Sequence, residues 1–174
     1  TQVEETLGAF YRAMEADNDT ARAIQKRYPS GPYRTVRRTV PFTSAAKWSA
    51  VDFTEEGCFV LGAPEFILGE DAKPLEEKLR YFAAQGCRVL LLAQCDGAEE
   101  GTLHGVVIPL ALLVLENPIR PSAPKTFDYF RSQGVAVKVI SGDNPVTVSA
   151  VAQQAGIQGA ENWVDARELK TDQD

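Results

Sequence analysis

The residues ENPIRP, 116 to 121, separate two stretches whose hydrophobic patterns demand different kinds of structure. Upstream, from Arg34 to Leu115, short apolar runs alternate with turn residues, as in strands joined by tight connections. Val36 to Phe42, Lys47 to Phe53 and Cys58 to Leu61 read as strands, the last after the turn Glu55-Glu56-Gly57. Cys87 to Cys95 is a nearly continuous apolar strand with Asp96-Gly97 as its turn, and Gly105 to Leu115 is a buried strand or pair of strands. Downstream, Lys125 to Gln133 reads as a helix, Val135 to Ile140 as a strand, and Pro145 to Ala155 as a helix ended by Gly156. Helix, strand and helix with short connections is the pattern of a parallel α/β piece. One good strand is too little for an independent parallel sheet. The boundary is therefore expected between 116 and 117, and the second stretch reads as part of something larger.

Helices flank the strand-rich stretch. Leu7, Phe10, Tyr11 and Met14 recur at helical spacing between Glu4 and Ala16. Asp17-Asn18-Asp19-Thr20 breaks and recaps the chain before a second helix from Ala21 to Tyr28. Pro74 starts a third, with Leu75, Leu79 and Phe82 on one face and Gly86 at its end. The fold class expected is α+β, an antiparallel sheet flanked by helices, followed by a partial α/β segment.

Composition excludes several function classes. With 44% hydrophobic and 24% charged residues the chain reads as soluble and globular. A net charge of -6 argues against a non-specific nucleic-acid binder or affinity for an anionic membrane. The apolar run Gly105 to Leu115 falls short of the roughly 20 residues a membrane helix needs. Three cysteines without CxxC spacing and one histidine, His104, leave a tetrahedral zinc site without ligands and suggest buried, reduced thiols in a cytoplasmic setting.

The most suggestive motif is KVISGDNPVTVSAVAQQAGI, 138 to 157, in which an apolar strand runs through Ser141-Gly142-Asp143-Asn144-Pro145 into a helix. Such a junction can point backbone N–H groups at an anion, usually phosphate. It can equally be a tight turn with an N-cap and Pro145 at the first helical position. The motif alone supports both.

The segment GVAVKVISGDNPVTVSAVAQQAGI resembles the phosphorylation-domain segment of P-type cation-transporting ATPases, where an apolar strand precedes Thr-Gly-Asp-Asn and a helix ending in Gly-Ile. ENPIRPSAPKTFDYFRSQG resembles the family's Asp-Pro-Pro-Arg hinge and following helix. LGAPE, 61 to 65, resembles its Lys-Gly-Ala-Pro-Glu motif, and PFTSAAKWSAV, 41 to 51, its Phe-Ser-x-x-Arg-Lys-x-Met-Ser-Val strand. The matches run in family order over roughly residues 17 to 160, with a flavour of bacterial calcium- or magnesium-type pumps.

The resemblance implies a nucleotide-binding domain over 1–116 and a fragment of a haloacid-dehalogenase-like phosphorylation domain over 117–174. Phe42 would stack on adenine, a contact worth about 1–3 kcal/mol. Lys47 and Arg88 would bring positive charge toward the nucleotide, Gly62 and Ala63 would let backbone approach the base, and Thr20 matches a residue of the pocket. Ser141 and Gly142 would hydrogen-bond the transferring phosphoryl, with Asp143 arranging the site. ATP and Mg²⁺ are the implied cofactors, with no metal ligand assigned in this chain. The implied partners are the remaining phosphorylation, actuator and transmembrane domains of the same pump, on the cytoplasmic side of the cell membrane, with no nucleic acid and no direct membrane insertion.

The sequence also departs from the pattern. Leu61 stands in place of a lysine, Ala46 of an arginine, Ala21 of a glutamate and Asn117 of the hinge aspartate. The first three imply weak ATP affinity and leave open a degenerate regulatory module that binds no nucleotide, while Asn117 bears on hinge-coupled positioning of the nucleotide. The nucleophile motif Asp-Lys-Thr-Gly-Thr and the Mg²⁺-holding Gly-Asp-Gly-x-Asn-Asp do not occur in the chain. The chain alone is therefore expected not to turn over ATP, and a haloacid-dehalogenase-like phosphatase lacks its nucleophile.

Overall fold

The computed structural model describes residues 1–116 and 118–168. It divides into two compact units, 1–74 with 89–113, and 75–88 with 114–174. The helix following Pro74 thus groups with the C-terminal segment.

The first unit opens with α1 (Gln2–Ala13) and α2 (Asp19–Arg27). Asn18 starts α2 by accepting the Ala21 N–H at 2.9 Å, which satisfies one of the donors a helix start leaves over. A sheet follows, built from β1 (Val36–Val40), β2 (Trp48–Phe53), β3 (Gly57–Gly62), β4 (Arg88–Cys95) and, later in the chain, β7 (Ile108–Leu115). The strand order is β1-β2-β3-β4-β7, and the β1–β2, β2–β3 and β3–β4 pairs are antiparallel. The α+β reading with a flanked antiparallel sheet holds.

Edges explain two residue choices. Pro109 lies in β7, at an edge, where a missing N–H removes no central ladder bond. β1, the other edge, carries Arg37 and Arg38, and charge there discourages pairing with another sheet. β1 stops before Pro41, two residues short of the expected end at Phe42.

Both faces of the sheet are apolar. Val40, Trp48, Ala50, Val60, Leu91, Ala93, Cys58 and Cys95 form one layer. Ile67 of α3 (Pro64–Leu68) joins it, as do Ala98 and Leu103 of the hairpin β5 (Gly97–Glu99) and β6 (Thr102–His104). Alternate residues Val51, Phe53, Phe59, Leu61 and Leu92 are buried on the opposite face. There the Arg34 guanidinium lies over Phe53 and Phe59, 5.5 and 6.0 Å from the ring centres, and donates to Thr6 Oγ1 of α1 at 3.4 Å. Asp96-Gly97 is not a hairpin tip. Gly97 begins β5, and the chain reverses at Glu100-Gly101, where Gly101 takes the left-handed conformation (φ 77°).

The second unit holds α4 (Glu76–Ala84, after a 3₁₀ turn over Gly69–Leu75), α5 (Ala123–Ser132) and α6 (Pro145–Gln154). The Thr147 hydroxyl of α6 donates to the Cys87 carbonyl at 3.2 Å, and Gln154 to the Gln85 carbonyl at 3.2 Å, so α6 is tied to the residues that leave α4. The core is thin, formed by small side chains such as Ala83, Ala152 and Ala155. Val135 to Ile140 is not a strand, which corrects the expectation. It joins no ladder among the described residues, and Ile140 is 98% exposed. A β-strand exists only by pairing, and β-branched composition cannot substitute for a partner.

Candidate functional site

In the first unit the site is a backbone convergence. The loop between β1 and β2 is closed by Thr43, whose carbonyl accepts the Lys47 N–H at 2.9 Å and whose Oγ1 accepts the Ala46 N–H at 3.1 Å. Sequence reasoning passed over Thr43. Its signal was a hydroxyl three residues before the amide it holds, a local side-chain-to-backbone turn. The closed loop carries Phe42, an aromatic left 45% exposed beside a well-buried strand.

Lys47 takes a left-handed backbone (φ 60°), uncommon for a residue with a side chain and costing about 1 kcal/mol or more. The conformation turns its carbonyl toward β3, where it accepts the Ala63 N–H at 2.9 Å. Gly62 makes this possible. A Cβ there would run into the Lys47 carbonyl oxygen and Trp48. The close approach that Gly62 permits in this structure is of the chain's own backbone.

Lys47, Gly62 and Ala63 are therefore brought together, with Phe42 on the same short loop. Leu61 is not at a surface, being 3% exposed on the sheet face opposite Trp48 and Val60. Thr20 is half-buried in the first turn of α2, and Ala21 beside it is 6% exposed. Ala46 packs at the margin of the apolar layer. Three of the four substituted positions, Leu61, Ala46 and Ala21, thus contribute apolar packing.

In the second unit Arg88 and Asp143, 55 residues apart in sequence, form an ion pair through Nη2 and Oδ2. Their side chains are 34% and 49% exposed, so solvent screening limits the pair to about 0–1 kcal/mol. Two residues expected in different roles, one at the nucleotide and one at the phosphoryl site, thus neutralise each other. The Ser141 hydroxyl accepts the Asp143 N–H at 3.1 Å, which leaves its own proton to donate. Asn144 caps α6, its side-chain oxygen accepting the N–H groups of Val146 at 3.0 Å and Thr147 at 3.4 Å. Those amides are engaged within the protein, so the turn with an N-cap describes this helix start. Asn117 lies outside the described residues.

Among the described residues, no group of three or more His, Cys, Asp or Glu is placed to hold a metal ion. No helix among them is long and apolar enough to cross a membrane.

No family model matches the chain. Individual relatives do. The chain is 46% identical, over 87% of its length, to the calcium-transporting ATPase CtpE of Mycolicibacterium smegmatis, and 43% identical, over 97% of its length, to that of Mycobacterium bovis. It is 38% identical, over 94% of its length, to the probable cation-transporting ATPase exp7 of Streptococcus pneumoniae. It spans 19%, 21% and 21% of these three proteins respectively, about one fifth of each. With that identity sustained over most of its length, the chain belongs to the P-type cation-transporting ATPases, as a segment of such a protein.

Proposed function

We propose that this chain is the ATP-binding portion of a P-type cation pump, joined to a fragment of its haloacid-dehalogenase-like phosphorylation domain. The observation that carries the reading is the convergence of Lys47, Gly62 and Ala63 beside a loop bearing an exposed aromatic, Phe42. An exposed phenylalanine on a loop held by its own hydrogen bonds is a preformed stacking platform. A lysine held in a strained backbone next to it supplies a cation for phosphate.

On this reading ATP binds with Mg²⁺ and is handed to an aspartate outside the chain. Ser141, with its hydroxyl proton free to donate, and Gly142 hold the transferring phosphoryl, while Asp143 arranges that site. The Arg88–Asp143 pair opens when phosphate arrives, since a dianion competes well for a half-exposed guanidinium. The remaining phosphorylation, actuator and membrane domains are the partners, and the chain faces the cytoplasm. Rotation about residues 117 to 120 would carry the nucleotide to the phosphorylation site. The relatives' names point to calcium or another cation as the ion moved.

A second reading, a degenerate regulatory module without nucleotide, has its own support. Leu61 and Ala21 fill apolar packing where the family pattern has polar side chains. Titration of the chain with Mg²⁺–ATP by NMR or calorimetry separates the two, run in parallel on Phe42→Ala. The pump-domain reading expects weak binding that the substitution abolishes. No binding by the unsubstituted chain at millimolar ATP would establish the degenerate module in its place.

A further inference from the structure

Cys58 and Cys95 stand directly opposite each other on β3 and β4, as the last pair of that antiparallel ladder. Opposed residues of an antiparallel pair point to the same face with Cβ atoms about 4.5–5.5 Å apart. A disulfide asks for about 3.5–4.5 Å, so closure needs an approach of about an ångström. Both thiols are free and buried, 1% and 5% exposed, in the layer with Val60, Ala93 and Ala98. Their mutual interaction and then burial push the Cys58 thiol up, and the same interaction holds Cys95 below the usual thiol range. Cys95 is thus the better nucleophile of the two.

Their place in the ladder matters as much as their spacing. The pair lies beside the turn that enters β3 at Gly57 and at the last residue of β4. Ladder ends open at far lower cost than ladder centres, which gives a small oxidant access that the static burial denies. Cys87, the third free thiol, belongs to the other compact unit.

We propose that Cys58 and Cys95 are a redox-active dithiol that hydrogen peroxide closes into a disulfide across β3 and β4. The Cys95 sulfur attacks one peroxide oxygen and the O–O bond breaks, leaving a sulfenic acid on Cys95 and one water, which carries the thiol proton. The Cys58 sulfur then attacks the Cys95 sulfur. The S–S bond forms, and the sulfenic oxygen leaves as a second water with the Cys58 proton. Two thiols are oxidised by two electrons, one peroxide is reduced to two waters, and a dithiol reductant reverses the step.

The test uses the whole chain, treated with equimolar hydrogen peroxide, alkylated with iodoacetamide in denaturant, digested without reduction and analysed by mass spectrometry. The expected product is a peptide containing Cys58 linked to one containing Cys95, with Cys87 alkylated and the link lost after dithiothreitol. Cys87→Ser should give the same link. The proposal is overturned if both cysteines remain alkylatable, if they over-oxidise to sulfinic acid without a link, or if the link runs to Cys87 or to a second chain.

Discussion

At the scale of single residues, Gly62 shows how little of a residue's role its identity declares. Its lack of a side chain suits many purposes, but here it admits the Lys47 carbonyl and Trp48. Gly62→Ala is expected to destabilise the chain by about 1–3 kcal/mol, the range for forcing extra atoms into a packed site. Chemical denaturation would measure it, and an unchanged midpoint would mean that the Lys47 turn yields easily.

Tyr11 gives a second residue-level prediction. Burial, helped by the charge of Asp17, pushes its phenol up to about 12 from 10.0. A raised folded-state value means that the contribution is complete below pH 10 and is lost as pH rises through the folded value. Stability should therefore fall between about pH 10 and 12 by on the order of 2 kcal/mol, and Tyr11→Phe should remove that loss. Denaturation midpoints across that range, compared with those of the variant, decide it.

At the scale of elements, α6 and the segment before it make opposite points. The helix start was legible because its signals are local: Asn144 at the cap, Pro145 at the first helical position. Asn144→Ala should cost about 1 kcal/mol, the usual worth of such a cap, measured as a shift in denaturation midpoint. Residues 135 to 140 have a strand's composition and no strand, because they join no ladder among the described residues. The amides of 136 to 140 should exchange with solvent far faster than those of β2 and β3. Protection equal to the sheet's would reveal a ladder in solution that the fold does not contain. The β5–β6 hairpin was misread for a related reason, since Asp-Gly is a strong turn signal that the strand pairing of Gly97 with His104 overrode.

At the scale of the molecule, the chain spans about one fifth of the length of its relatives. Phosphate release from Mg²⁺–ATP by this chain is expected at the rate of a protein-free control, because no Asp-Lys-Thr-Gly-Thr nucleophile occurs in it. Turnover above that control, retained in Ser141→Ala and lost in Phe42→Ala, would point to an unrecognised nucleophile.

By itself the sequence determined the family, the α+β character, the start of α6 and the strand-rich stretch. Each of these rests on residues close together in the chain, whether a cap, a period or a short motif. Only the tertiary structure decided that Gly62 accommodates the chain's own backbone, that Leu61 is core, that Arg88 meets Asp143, and that Cys58 faces Cys95. These depend on strand register and helix packing between distant segments. A one-residue slip in register would have sent every such side chain to the other face.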